Sequence, residues 1–182
     1  SNVLGAVERV AGRFEAETGH SVVLSSGATG KHYAQIRHGA PFQVFLAADE
    51  RRPRLLVESG RALEGSRTTY ARGRLVLWSP DDSLVDPGGG VLAGDGFTYL
   101  ALANPRLAPY GQAAKQVLED RGLWNALEGR RVMGENIAQA YQFVRTRNAQ
   151  LGFVALSQLA APGQSPGGSR WLVPQDLHDP ID

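Results

Sequence analysis

The sequence predicts an α/β fold, because short apolar runs alternate with segments of helical periodicity along most of its 182 residues. Two of the apolar runs, 44–48 and 151–155, are five residues long, which suits a buried strand better than a helix. Strands that alternate with helices at this spacing are typical of a parallel sheet covered on both faces. We therefore expect such a sheet, built as two α/β units.

The first unit begins with an amphipathic helix over residues 3–14, where apolar residues recur every three or four positions. Asn2 is expected to cap this helix and Gly19 to end it. The pattern then predicts a strand at 21–25, a helix at 29–39, a strand at 44–48 and a helix through Leu55 and Leu56.

The second unit follows an extended segment at 70–78. It is predicted to contain strands at 99–103, near Val132 and at 151–155, and helices at 112–121 and 137–147. Extended segments near 70–79 and 171–175 join the two units. In a parallel sheet such a first helix normally follows a strand, but this sequence starts with the helix. We therefore expect the chain to represent part of a longer protein.

Composition excludes several classes of function. The 19 basic and 18 acidic residues are mixed along the chain and leave a net charge of +1, so no basic face for nucleic acid is indicated. The absence of cysteine excludes disulfides and thiolate metal sites. No apolar run reaches the roughly 18 residues that suggest a membrane-spanning helix.

Four helix starts carry hydroxyls or bare backbone N–H groups and almost no cations. A helix N-terminus offers unpaired N–H donors and the positive end of the macrodipole. Several such ends meeting at one point would bind a small anion by hydrogen bonds alone. The segments are Ser1-Asn2, Gly27 to Gly30, Ala108 to Gly111 and Glu135-Asn136, and they indicate an oxyanion receptor.

The turn at 27–31 is not a nucleotide-binding loop. A Walker A motif requires a glycine five positions before the glycine of the Gly-Lys pair and a hydroxyl residue after the lysine, whereas Ser25 and His32 occupy those positions. Thr29 is predicted to be the N-cap of the following helix. Its hydroxyl either serves only as a cap or also faces a ligand, and the sequence leaves both readings open.

Nothing in the sequence favours an enzyme. There is no Gly-x-Ser-x-Gly elbow, and the pair His32 and His38 lacks the spacing of a zinc site on a helix. The carboxylates of Asp49 and Glu50 follow a predicted strand, but capping of the next helix explains them better than acid/base catalysis does. We expect no catalytic residue, no cofactor and no metal liganded by side chains.

Eight segments taken in order carry a family resemblance. They are 1–5 (SNVLG), 14–30 (FEAETGHSVVLSSGATG), 33–36 (YAQI), 39–42 (GAPF), 47–50 (AADE), 73–79 (GRLVLWS), 104–111 (NPRLAPYG) and 151–156 (LGFVAL). Over its whole length the chain resembles the periplasmic molybdate- and tungstate-binding proteins of ABC importers.

The resemblance implies a two-lobed type II periplasmic binding protein fold. Lobe one would span 1–73, lobe two 74–174, and 175–182 would return toward lobe one. The family has a strand before residue 1 and a strand and helix after residue 182, so lobe one is expected to be truncated at both ends.

The resemblance also implies the ligand-binding residues. Carried over by position, they are Ser1 and Asn2 at the first helix start, Thr29 in place of the usual serine, and the backbone N–H groups of Tyr110 and Ile137. Some relatives place a tyrosine where this chain has Ala155, so no cleft tyrosine is assigned there.

The predicted function is capture of molybdate or tungstate in the periplasm and delivery to a cognate ABC permease. No nucleic-acid partner is expected. Sulfate, which shares charge and shape with molybdate, is the nearest alternative ligand. The effector domain of a transcription regulator with the same fold is an alternative from another class, and it would require a helix-turn-helix unit before residue 1.

Overall fold

A five-stranded mixed sheet forms the centre of the C-terminal half. The computed structural model describes residues 3–160 and 166–182. The strands in chain order are β1 (Leu75–Ser79), β2 (Leu100–Ala103), β3 (Arg131–Gly134), β4 (Leu151–Ala155) and β5 (Ser169–Leu172). Their order in the sheet is β3-β2-β4-β1-β5.

The expectation of a wholly parallel sheet is wrong for the half that contains β1 and β5. β2 runs parallel to β3 and β4, whereas β1 runs antiparallel to both β4 and β5. The crossover helices α4 (Pro109–Asp120) and α5 (Ile137–Arg145) join β2 to β3 and β3 to β4, and such connections produce parallel neighbours. The strand that follows β1 in the chain is β2, which is not its neighbour in the sheet. No crossover helix therefore sets the direction of β1 relative to its neighbour β4.

The two crossover helices cover opposite faces of the sheet. Leu75 and Leu77 of β1 pack in the cluster that contains Val117 of α4, whereas Val76 and Trp78 pack in the cluster that contains Val144 of α5. This alternation follows from the two-residue period of a strand. Both faces are therefore buried, as the continuous apolar run LVLW predicts.

Three helices dominate the N-terminal 72 residues. They are α1 (Leu4–Thr18), α2 (Thr29–Arg37) and α3 (Arg51–Glu58), and all three were expected near these positions. Gly19 ends α1 in the left-handed conformation with φ of 73°, which confirms its predicted role. The predicted cap at Asn2 lies outside the described residues.

The predicted strands at 21–25 and 44–48 are wrong. The structure assigns no strand between residues 3 and 72. A strand exists only when a neighbour supplies its hydrogen-bond partners, and all five strands of the described residues lie in the C-terminal sheet. Side chains that a sheet would bury are accordingly exposed, Val23 to 95% and Val44 to 75%.

The C-terminal residues return to the start of the sheet region. The N–H of Gly73 donates to the carbonyl oxygen of Ile181 at 2.7 Å. Gln116 on α4 bonds to both the backbone and the side chain of Asp179. A short helix α6 (Leu156–Leu159) follows β4, and 3-10 helices occur at Gly90–Ala93, Glu128–Arg130 and Gln175–Leu177. Within the described residues no helix is long and apolar enough to span a membrane.

Candidate ligand-binding cavity

A cavity of about 690 Å³ lies between the N-terminal helices and the sheet region. Thr29 at the start of α2, Tyr110 at the start of α4 and Ile137 at the start of α5 all line it. Three of the four predicted helix starts are thus brought together. Ser1 and Asn2, the fourth, lie outside the described residues.

Thr29 is the first residue of α2 and not its N-cap, so the predicted capping role is wrong. The helix is preceded by Ala28, and no side chain caps it. The Thr29 Oγ1 instead accepts a hydrogen bond from the N–H of Ala48 at 3.3 Å. A threonine hydroxyl has one proton and two lone pairs, so this bond leaves the O–H free to donate. Thr29 is 8% exposed at the cavity wall.

The start of α4 is pressed against the end of β2. Pro109 occupies the first turn, and Ala108 before it has an extended backbone. Gly111 permits the close approach, because a Cβ there would overlap the carbonyl oxygen of Ala103 and lie 2.7 Å from its carbonyl carbon. The backbone N–H of Tyr110 belongs to this first turn. Burial raises the pKa of the Tyr110 phenol, with a smaller contribution from the neighbouring Tyr70.

The cap at the start of α5 leaves the backbone N–H of Ile137 available to a ligand. The Asn136 Oδ1 accepts from the N–H of Ala138 at 2.9 Å and from that of Gln139 at 3.2 Å. The cap therefore does not use the N–H of Ile137. Gln158 donates to the Ile137 carbonyl at 3.2 Å and so fixes the same residue from the other side.

The described residues that line the cavity include hydrogen-bond donors but none of the four residue types that are charged at every physiological pH. No Asp, Glu, Lys or Arg belongs to that lining; its titratable members are His20, His32 and the two tyrosines. The ion pair between Lys31 and Glu135, 4.0 Å apart, is exposed and does not line the cavity. Helix dipoles and N–H groups therefore supply the positive potential.

The sequence did not predict two hydrogen bonds in the cavity wall. The Tyr70 hydroxyl donates to the Ala47 carbonyl at 2.9 Å, which ties residue 70 to the segment beside α2. The N–H of Ala48 holds Thr29 in place. Both contacts join residues about 20 positions apart, and nothing in the local pattern marks them. In the portion that the structure describes, no group of His, Asp or Glu is arranged to hold a metal ion.

Comparison with known proteins assigns the family. Residues 1–182 match the family described as bacterial extracellular solute-binding protein. The chain belongs to this family. It is 51% identical to the molybdate-binding protein ModA of Azotobacter vinelandii, covering 100% of this chain and 72% of that protein. It is 46% identical to ModA of Rhodobacter capsulatus, covering 100% of this chain and 70% of that protein.

Similarity to solved structures supports the fold assignment. The periplasmic molybdate-binding protein of Azotobacter vinelandii matches with a TM-score of 0.93 and 47% identity, over 99% of this chain and 79% of that one. A substrate-binding domain of a molybdenum ABC transporter from Clostridium difficile, described as putative, matches with a TM-score of 0.67 at 20% identity, covering 100% and 78%. The type II periplasmic binding protein fold implied by the resemblance is confirmed.

Proposed function

We propose that this solute-binding protein captures molybdate or tungstate in the periplasm and delivers it to an ABC permease in the membrane. The observation that carries the proposal is that three helix starts meet at one cavity whose described lining contains no Asp, Glu, Lys or Arg. The names of the relatives, which are binding proteins for molybdate, support it independently. The same evidence favours a receptor over an enzyme.

Hydrogen bonds alone are enough to hold such an anion. A dianion buried without partners would cost many kcal/mol, so its hydration shell must be replaced. The Thr29 hydroxyl and the backbone N–H groups of Tyr110 and Ile137 supply charge-assisted hydrogen bonds, which are roughly twice as strong as neutral ones. The three donors lie on three different helices, so each can serve a different oxygen of a tetrahedral anion. Ser1 and Asn2 are proposed as further donors by the family resemblance.

Rejection of phosphate follows from the same chemistry. Hydrogen phosphate carries a proton at neutral pH and needs an acceptor for it, whereas molybdate, tungstate and sulfate are fully ionised and need only donors. No carboxylate lines the cavity among the described residues. We therefore expect tight binding of molybdate and tungstate and no measurable binding of phosphate at pH 7.

Isothermal titration calorimetry with molybdate, tungstate, sulfate and phosphate tests this expectation. Sulfate is the informative control, because it has the same charge and shape but is smaller. Weaker binding of sulfate would show that the cavity selects by size. Phosphate binding comparable with that of molybdate would contradict the donor-only site, and sulfate binding tighter than molybdate would make sulfate the ligand.

A further inference from the structure

Arg52 forms an ordered pair with Asp49 beside the cavity. Its Nη1 lies 2.6 Å from the Asp49 Oδ2, and its backbone N–H donates to the Asp49 Oδ1 at 2.8 Å. The two side chains are only 22% and 17% exposed. An ion pair this sheltered from water is screened less than a surface pair, and the 2.6 Å contact with Asp49 orients the guanidinium.

The other edge of the same guanidinium reaches the loop before Tyr110. Arg52 Nη2 donates to the carbonyl oxygen of Arg106 at 3.4 Å. The next carbonyl, that of Leu107, accepts from the N–H of Gly30 at 2.9 Å. Two successive carbonyls of the 104–108 loop are thus bonded to residues of the N-terminal helices.

These contacts connect two donors of the cavity. Asp49 directly follows Ala48, whose N–H holds the Thr29 hydroxyl. The 104–108 loop directly precedes Pro109 and Tyr110 at the start of α4. The chain of bonds from Asp49 through Arg52 to Arg106, here called the Arg52 bridge, therefore fixes the Thr29 wall against the Tyr110 wall.

We propose that Arg52 is a positioning residue for anion capture, and that the Arg52 bridge slows release of the bound anion. The inference rests on the proposed function. Arg52 does not line the cavity and so acts through the residues that do. Breaking the bridge lets the walls separate, which raises the dissociation rate more than it lowers the association rate.

This role requires the planar, two-edged geometry of an arginine side chain. A guanidinium presents donors on two edges in a rigid plane, so one edge binds the carboxylate while the other binds a carbonyl. A lysine ammonium at the same position would keep the charge but lack the fixed two-edged plane. Arg52→Lys is therefore expected to preserve the pairing with Asp49 and to lose most of the bond to Arg106.

The test measures release of radiolabelled molybdate into excess unlabelled molybdate by rapid filtration. Arg52→Met removes the guanidinium contacts with Asp49 and with Arg106. It is expected to raise the dissociation rate about tenfold, with association changed by no more than about twofold. Arg52→Lys is expected to lie between Arg52→Met and wild type. The matched control is Arg54→Met on the same helix, which removes an exposed pair with Glu58 at 3.6 Å and is expected to behave as wild type.

A second variant keeps the inference testable if Arg52→Met folds poorly. Asp49→Asn retains an oxygen acceptor for the Arg52 N–H but removes the charge that orients the guanidinium, and it is expected to raise the dissociation rate in the same direction. If wild type binds molybdate and both Arg52→Met and Asp49→Asn release it at the wild-type rate, the role of the Arg52 bridge is overturned. The proposed function would then still stand. Absence of molybdate binding in wild type would overturn the proposed function as well.

Discussion

Gly111→Ala is expected to lower the free energy of unfolding by about 3 kcal/mol and to remove measurable molybdate binding. The new Cβ would overlap the carbonyl oxygen of Ala103, which is backbone of the central strand β2 and has little freedom to move. Relief of that clash requires α4 to shift away from the sheet. The N–H of Tyr110 would then leave its position at the cavity.

Urea unfolding and calorimetric titration of the same samples measure both effects. Gly129→Ala is the matched control, because a Cβ there meets no atom within 4 Å. The control is expected to retain wild-type stability and affinity. A Gly111→Ala protein that binds molybdate as wild type does would show that the α4 start does not contribute to the site.

Thr29→Val is expected to weaken molybdate binding by about 1.5 to 3 kcal/mol, the usual value of a hydrogen bond to a charged group. Valine keeps the shape of threonine but removes the hydroxyl that the structure leaves free to donate. Thr29→Ser keeps that hydroxyl and is expected to bind almost as tightly as wild type. Calorimetric titration of the two variants side by side isolates the hydroxyl from the volume of the side chain.

The same pair of variants also reports on stability. Thr29→Val leaves the N–H of Ala48 without its 3.3 Å partner, so a loss of about 1 kcal/mol or more is expected in chemical unfolding. A variant with reduced stability but unchanged affinity would restrict Thr29 to a structural role.

The helices were predictable because their signals are local. The three-to-four-residue apolar spacing between Val3 and Phe14 and the glycine at position 19 define α1 without reference to any other element. The strand at 151–155 was predictable for the same reason, since a five-residue apolar run fits a strand buried on both faces. The apolar run at 44–48 gave a similar signal but has no strand neighbour to pair with.

The candidate site was predictable only in part. The residue types at the helix starts indicated anion binding, and the structure brings Thr29, Tyr110 and Ile137 to one cavity. The bond partner of Thr29 was not predictable, because Ala48 is 19 positions away and is an unremarkable alanine. The Arg52 bridge depends on the approach of a loop 54 positions away, which no sequence spacing encodes.

Anomalous diffraction from crystals grown with tungstate tests the central claim most directly, since tungsten scatters strongly near its absorption edge. We expect one strong peak inside the cavity, with tungstate oxygens within hydrogen-bond distance of the Thr29 hydroxyl and of the N–H groups of Tyr110 and Ile137. A strong peak at another site, or no peak in a protein saturated with tungstate in solution, would contradict it.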